Sequence, residues 1–259
     1  MKIYPIYLLQ IVLFLNACDI DFRKKSNTVY HKRVYEITNP QISNIPLSTK
    51  KINVDTSYLE YVFKGYDLVN IRALDSSIHV SLRYADTNNF LKTNFYDGLR
   101  NAYFPCEVAL RVCNAQYFLK QLNPELSLVI FDAARPLHIQ KMMWDSLKMP
   151  NNRKFNYLSP PYETSLHNYG CAVDLGILDI SQNLLKDMGC DFDTFEKIAQ
   201  PFYEQKFLTS GELAPQAFQN RKLLRWVMKR AGFSPIPSEW WHFAYGNKTM
   251  AAAKFKLIH

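Results

Sequence analysis

The chain has 259 residues, of which 48% are hydrophobic and 14% aromatic. That is ample for a buried core, so disorder is not the default, in a length that admits one large domain or two small ones. The formal net charge is +8, part of it in "RKK" (23–25), "HKR" (31–33) and "KK" (50–51); with no nucleic-acid motif beside them, these clusters read as a solvated tether or contacts to acidic lipid, and no nucleic-acid partner is expected.

Lys2 and the apolar run "IYLLQIVLFL" (6–15) open the chain. Such a run is too short to span a bilayer, which takes about 20 residues, and has the form of an export signal. It ends in "LNAC" (15–18), which resembles the lipobox of bacterial lipoproteins, with Cys18 as the lipidated first residue of the mature chain. The expectation is a signal peptide over 1–17 and an exported chain anchored through lipid to a bacterial membrane, facing the periplasm or the cell surface. An uncleaved anchor or an ordinary signal peptide is the competing reading. Residues 18–65, rich in Asn, Ser, Thr, Pro and Lys, read as a tether, and 66–259 as the folded domain.

From about Tyr66, "VNIRAL" and "IHVSLRY" alternate apolar and polar residues as half-buried strands do. Val108, Val112, Ala115, Leu119 and Leu122 recur at helical spacing up to a stop at Asn123-Pro124. Cys106 and Cys113 fall on that helix about 10.5 Å apart, too far for a disulfide, and no Cys-x-x-Cys suggests a thiolate zinc site. "LSLVIFDAARP" (126–136) reads as a strand breaking into a polar turn, and Pro136 opens a helix with Ile139, Met143 and Leu147 inward. "GCAVDLGILDI" reads as another strand. A helix over 215–231 buries Leu223, Leu224, Val227, Met228 and Ala231, shows Arg221, Lys222, Arg225 and Lys229 on its other face, and is capped at Gly232. Pro235 and Pro237 lead into "SEWWHFAYG", an aromatic strand. Without a βαβ rhythm, a repeat or a Gly-rich phosphate loop, the expectation is one α+β domain with a central, mostly antiparallel sheet flanked by helices.

"SLHNYGCAVDLG" (165–176) admits two readings, a polar loop entering a strand or a metal site with His167 and Asp174 as ligands and Gly170 as the bend. Asp174 lies between Val173 and Leu175, where an unpaired charge is expensive to bury and a cation removes that cost. A catalytic zinc takes three protein ligands and keeps a fourth position open. His242 is the natural third ligand, brought in by the fold. Glu239 precedes it by three residues and would face the opposite way on a regular strand, so a bend at the prolines is needed to aim both into one cavity walled by Trp240 and Trp241. Glu239 is then the general base toward the metal's water. His31, His79 and His259 have no suitable neighbours, and His138 reads as a surface residue.

"SLHNYGCAVDLG" together with "EWWHF" resembles the zinc D-alanyl-D-alanine dipeptidases of the VanX type. "LRYADTNNF" (82–90), "FYDGL" (95–99), "FDAARP" (131–136), "MGCDFD" (188–193) and "QNRKLLRWVMKRAGF" (219–233) extend the resemblance, in the same order, across Tyr84 to Phe243. It implies one Zn²⁺ per chain on His167, Asp174 and His242 at the sheet edge, with Glu239 as catalytic base. It implies Arg135 as the group steadying the scissile carbonyl and the oxyanion, oriented by Asp132, and Asp193, Ser165 and Tyr84 as the groups holding the substrate's free amino end. Read without it, these are a structural ion pair, a turn aspartate, a loop serine and a core tyrosine. The implied activity is hydrolysis of D-alanyl-D-alanine to two D-alanines. Ala134, Cys171 and Cys190 depart from the family pattern and bear on pocket dimensions. The alternatives are a D,D- or L,D-carboxypeptidase or endopeptidase of the same zinc group acting on muropeptides, and a non-catalytic lipoprotein that binds wall fragments.

Overall fold

The structure is a computed structural model and describes residues 57–259. The expected signal peptide, Cys18 and the tether up to residue 56 lie outside the described residues. The first half comprises α1 (Tyr58–Gly65), β1 (Val69–Asn70), α2 (Ile71–Leu74), β2 (His79–Val80), β3 (Tyr103–Phe104), α3 (Cys106–Leu122), β4 (Leu126–Asp132), α4 (Leu137–Ser146) and α5 (Asn151–Lys154). A 3₁₀ turn at Leu166–Tyr169 then precedes β5 (Ala172–Asp179) and β6 (Leu184–Leu185). The chain closes with α6 (Glu204–Ser210), α7 (Pro215–Arg230), β7 (Ser234–Pro235), β8 (His242–Ala244) and α8 (Lys248–Lys254).

The main sheet runs β2-β4-β5-β8-β7, with β6 paired to β5. Only β2 and β4 run parallel; the other pairs are antiparallel, as expected of this α+β fold. Every residue of β4 and all but the last of β5 are buried, which is what a continuous apolar run does when both sheet faces are covered. The helical spacing of α3 puts Val108, Val112, Ala115 and Leu119 in the core, while Leu122 stays exposed at its end. Ile139, Met143 and Leu147 are buried along α4 as its pattern requires.

Five elements differ from the sequence expectation. "VNIRAL" and "IHVSLRY" yield only the two-residue strands β1 and β2. Side chains there compete with the ladder: Asn70 Oδ1 accepts from Arg72 N at 3.0 Å to start α2, and Asp75 Oδ1 accepts from Ser77 N at 2.9 Å to close a turn. The domain also begins before residue 66, because α1, assigned to the tether, buries Leu59 and Phe63 in the core. In α7, Arg221 is fully buried rather than displayed, its charge met by Glu204 and by the carbonyls of Met188 and Ile198. The aromatic strand shrinks to His242–Ala244, so Glu239, Trp240 and Trp241 precede it on irregular backbone.

Gly170 ends the Leu166–Tyr169 turn with φ +64°, and a Cβ there would stand 2.6 Å from Cδ of Pro105, a ring atom that cannot swing away. Gly170→Ala is expected to destabilise the domain by about 1–3 kcal/mol, read as a lowered midpoint in urea. An unchanged midpoint would show that the bend tolerates a side chain.

Candidate active site

Strand register assembles most of the site. Asp132 pairs with Asp174 across β4 and β5, and Asp174 pairs with His242 across β5 and β8. Three polar residues therefore form one row at the end of three adjacent strands, where β4 stops and β5 and β8 begin. His167 comes from the 3₁₀ turn just before β5. That turn is zipped to the segment after β4, since His167 O accepts from Arg135 N at 3.0 Å and Asn168 Nδ2 donates to Arg135 O at 2.8 Å.

The three expected ligands meet. His167 Nε2 stands 3.3 Å from His242 Nδ1 and 3.5 Å from Asp174 Oδ2, and His242 Nδ1 stands 2.9 Å from Asp174 Oδ1. Ligand atoms held about 2.1 Å from one tetrahedral zinc lie roughly 3.4 Å from each other; the two histidine nitrogens match that spacing, the two Asp174 oxygens are divided between them, and one ligand atom from each residue lies within 4.8 Å of the others. The tautomer agrees. His167 Nδ1 lies 2.8 Å from the Ala133 carbonyl; a carbonyl only accepts, so Nδ1 carries the proton and Nε2 turns its lone pair to the cluster. His167 and Asp174 are buried, and His242 keeps 15% of its side chain exposed. Burial works against the Asp174 charge, but His167 and His242 beside it hold its carboxyl well below the usual range.

Glu239 Oε2 lies 4.0 Å from His242 Nδ1, with 27% of its side chain exposed. Because β8 starts only at His242, strand alternation does not separate the two residues. Burial pushes the Glu239 carboxyl up to about 7, against the pull of His242. This is the range in which a carboxylate takes and returns protons at neutral pH.

Arg135 and Asp132 form a buried ion pair through Nε at 3.0 Å and through Nη2, both on Asp132 Oδ2. Nη1 is the guanidinium nitrogen this pair does not engage. The other carboxylate oxygen accepts from Tyr96 OH at 2.5 Å and from Ala133 N at 2.9 Å. The guanidinium also lies 5.4 Å from the centre of the Tyr84 ring. Tyr84 OH in turn donates to Asp193 at 3.1 Å, and Phe90 N donates to the same carboxylate at 3.4 Å. Burial, with the Asp174 charge second, pushes Asp193 up to about 7. Asp193 sits on left-handed backbone, φ +62°, a conformation held by its surroundings.

Ser165 has other partners. Its hydroxyl donates to Gln140 Oε1 at 2.8 Å, and its N–H donates to Asn168 Oδ1 at 2.7 Å, fixing the start of the turn that carries His167. Tyr96, Gln140 and Asn168 escaped the sequence reading. Tyr96 and Asn168 lay in segments singled out there, "FYDGL" and "SLHNYGCAVDLG", but nothing in their spacing pointed to Asp132 or to the Arg135 carbonyl.

The sequence model of the D-ala-D-ala dipeptidase family matches residues 64–258. This chain belongs to that family. It is 30% identical over 177 residues to the D-alanyl-D-alanine dipeptidase of Escherichia coli (strain K12), covering 68% of this chain and 83% of that protein. The dipeptidase of Synechocystis sp. is 28% identical over 180 residues, 56% of this chain and 69% of that protein. That of Enterococcus faecalis is 28% identical over 96 residues, 36% of this chain and 44% of that protein. The chain is thus a peptidase in which three candidate ligands meet, with Glu239 beside His242 and Arg135 held on Asp132, the strand partner of Asp174.

Removing the charge of Asp132 strands a buried guanidinium. Asp132→Asn is expected to cost about 3–5 kcal/mol of stability in urea unfolding. A loss below about 1 kcal/mol would show that this pair does not hold the turn.

Proposed function

We propose that this protein hydrolyses D-alanyl-D-alanine to two D-alanines, with one zinc ion per chain on His167, Asp174 and His242 and Glu239 as the general base. The observation that carries the reading is the convergence of those three ligand atoms beside Glu239 in a member of the D-ala-D-ala dipeptidase family. Zinc held by that set supplies Lewis acidity and lowers the pKa of water toward about 7.

The chain's own residues supply the rest. Glu239 takes a proton from the attacking water and delivers it to the leaving amine, a transfer suited to a carboxyl near 7. Arg135, with Nε and Nη2 committed to Asp132, has Nη1 to donate to the carbonyl oxygen as charge develops on it. Asp193, steadied by Tyr84 and Phe90 N, accepts the substrate's ammonium group. An ammonium set against it favours the charged carboxylate, whereas an internal amide brings no such charge, which favours a substrate with a free amino end. Ser165 contributes by fixing the turn that presents His167.

From the sequence "LNAC" we also infer export and lipidation at Cys18, with a tether between anchor and domain. The lipid would hold the domain at a bacterial membrane, in reach of products of wall turnover.

Glu239→Gln is expected to lower kcat for free D-alanyl-D-alanine by about 10²- to 10⁴-fold while keeping one zinc per chain by metal analysis. His167→Ala is expected to lose zinc and turnover together. A Glu239→Gln protein that still turns over at the wild-type rate would remove the base assignment. A chelator is expected to abolish hydrolysis and added zinc to restore it; activity that survives complete zinc removal would overturn the metal assignment. Cleavage of a muropeptide pentapeptide, but not of the free dipeptide, would move the substrate to the wall peptide.

A further inference from the structure

We infer that the cavity beside Asp193 is a side-chain pocket for the substrate's amino-terminal residue, and that Arg83 fits it to an acidic side chain. The inference rests on the dipeptidase reading and extends its substrate class from D-alanyl-D-alanine to dipeptides that begin with an acidic residue.

The cavity measures about 640 Å³, with Arg83, Phe90, Phe131, Asp193 and Trp240 in its walls. Two of these walls belong to the active site: Asp193 is the proposed holder of the amino end, and Trp240 follows Glu239. Cavities of this size take drug-sized molecules, so the methyl group of an alanine leaves most of it unfilled. A substrate whose ammonium meets Asp193 has the side chain of that same residue next to this space.

Arg83 gives the space its chemistry. Its guanidinium lies 4.7 Å from the centre of the Phe131 ring, and its Nε is buried without a hydrogen-bond partner. Among the described residues no carboxylate forms an ion pair with it. The other charged groups on the cavity are Lys92, Lys186, Asp187, Asp191 and Asp193. Lys186 is paired with Asp179 at 3.6 Å, Asp187 accepts from Gly189 N, and Asp193 is engaged by Tyr84. A buried donor with nothing to donate to is costly, and a ligand carboxylate removes that cost with charge-assisted hydrogen bonds.

The arrangement is built into the sheet. Gly176 lies two residues beyond Asp174 on the same face of β5, and a Cβ there would come within 3.0 Å of Cζ of Phe131. The missing side chain lets the ring lie where Arg83 covers it. Asn89 fixes the loop, its Nδ2 donating at 2.9 Å to the carbonyls of Arg83, Asp86 and Thr93.

The test compares kcat/KM of the zinc-loaded protein on D-Ala-D-Ala, D-Glu-D-Ala and its neutral isostere D-Gln-D-Ala. Wild type is expected to favour D-Glu-D-Ala over D-Gln-D-Ala by about tenfold or more, the range for a hydrogen bond to a charged group. Arg83→Gln is expected to lower the ratio of D-Glu-D-Ala to D-Ala-D-Ala by a similar factor, and Arg83→Lys to retain part of it. Using a ratio separates specificity from any loss of folded enzyme, and the wild-type comparison needs no variant. Hydrolysis of D-Ala-D-Ala without a preference for D-Glu-D-Ala over D-Gln-D-Ala, or a ratio unmoved by Arg83→Gln, overturns the inference while leaving the dipeptidase reading standing. Hydrolysis of none of the three overturns that reading, and this inference with it.

Discussion

Two carboxylates, Asp132 and Asp174, face each other across adjacent buried strands, and everything near them is arranged to make that tolerable. Neighbouring like charges in a dry interior repel, and each must be matched or neutralised. The structure treats them differently. Asp132 receives a guanidinium, a tyrosine hydroxyl and a backbone N–H, which consumes both of its oxygens. Asp174 receives two imidazoles whose lone pairs a cation can share. One carboxylate is thereby committed to holding Arg135, and the other is left in a group that could hold a metal ion.

That division explains why the site sits where it does. A row of paired strand residues has spacing set by the hydrogen-bond ladder, so Asp174 and His242 are placed by backbone alone. The remaining two groups come from irregular backbone on either side of the row. His167 is presented by a turn with a left-handed glycine at its end, and Glu239 by the segment before β8. Two of the four groups are thus set by the strand ladder and two by the segments packed beside it.

The sequence displayed the parts of the molecule whose physics is local or rare. α3, α4 and α7 follow from helical periodicity, and β4 and β5 from apolar runs that need both faces covered. Asp174 stood out because a charge between Val173 and Leu175 needs a reason to be buried, and His167, Glu239 and His242 because carboxylates and imidazoles fall at the spacing a metal site uses. What stayed hidden depends on who meets whom. β1 and β2 were cut short by Asn70 and Asp75, whose side chains bond to nearby backbone. α1 has the look of a tether until Leu59 and Phe63 find a core. Arg221 reads as a surface cation on a helical wheel, and nothing local foretells that Glu204 lies opposite. Arg83, Phe131 and Gly176 form a cavity wall from three separate segments, which no window of sequence contains.

Arg221 also shows how the cavity beside Asp193 is tied to the scaffold. Its Nε donates to Met188 O at 2.5 Å, Nη1 reaches Ile198 O at 2.9 Å, and Nη2 lies 3.4 Å from Cys190 Sγ. Asn220, one residue earlier on α7, donates to Asp187 O at 2.7 Å. The loop from Asp187 to Asp193 is therefore pinned at its near end to a helix packed in the core, and Glu204 balances the buried charge while also binding Arg225 at 2.7 Å. Asp193 is held in a left-handed conformation that an unsupported loop would relax, with its carboxylate kept on Tyr84. A buried arginine that donates chiefly to backbone carbonyls fixes main-chain geometry whatever side chains the loop carries. The loop's departures from the family pattern, Cys190 among them, can thus alter the cavity's walls without moving Asp193.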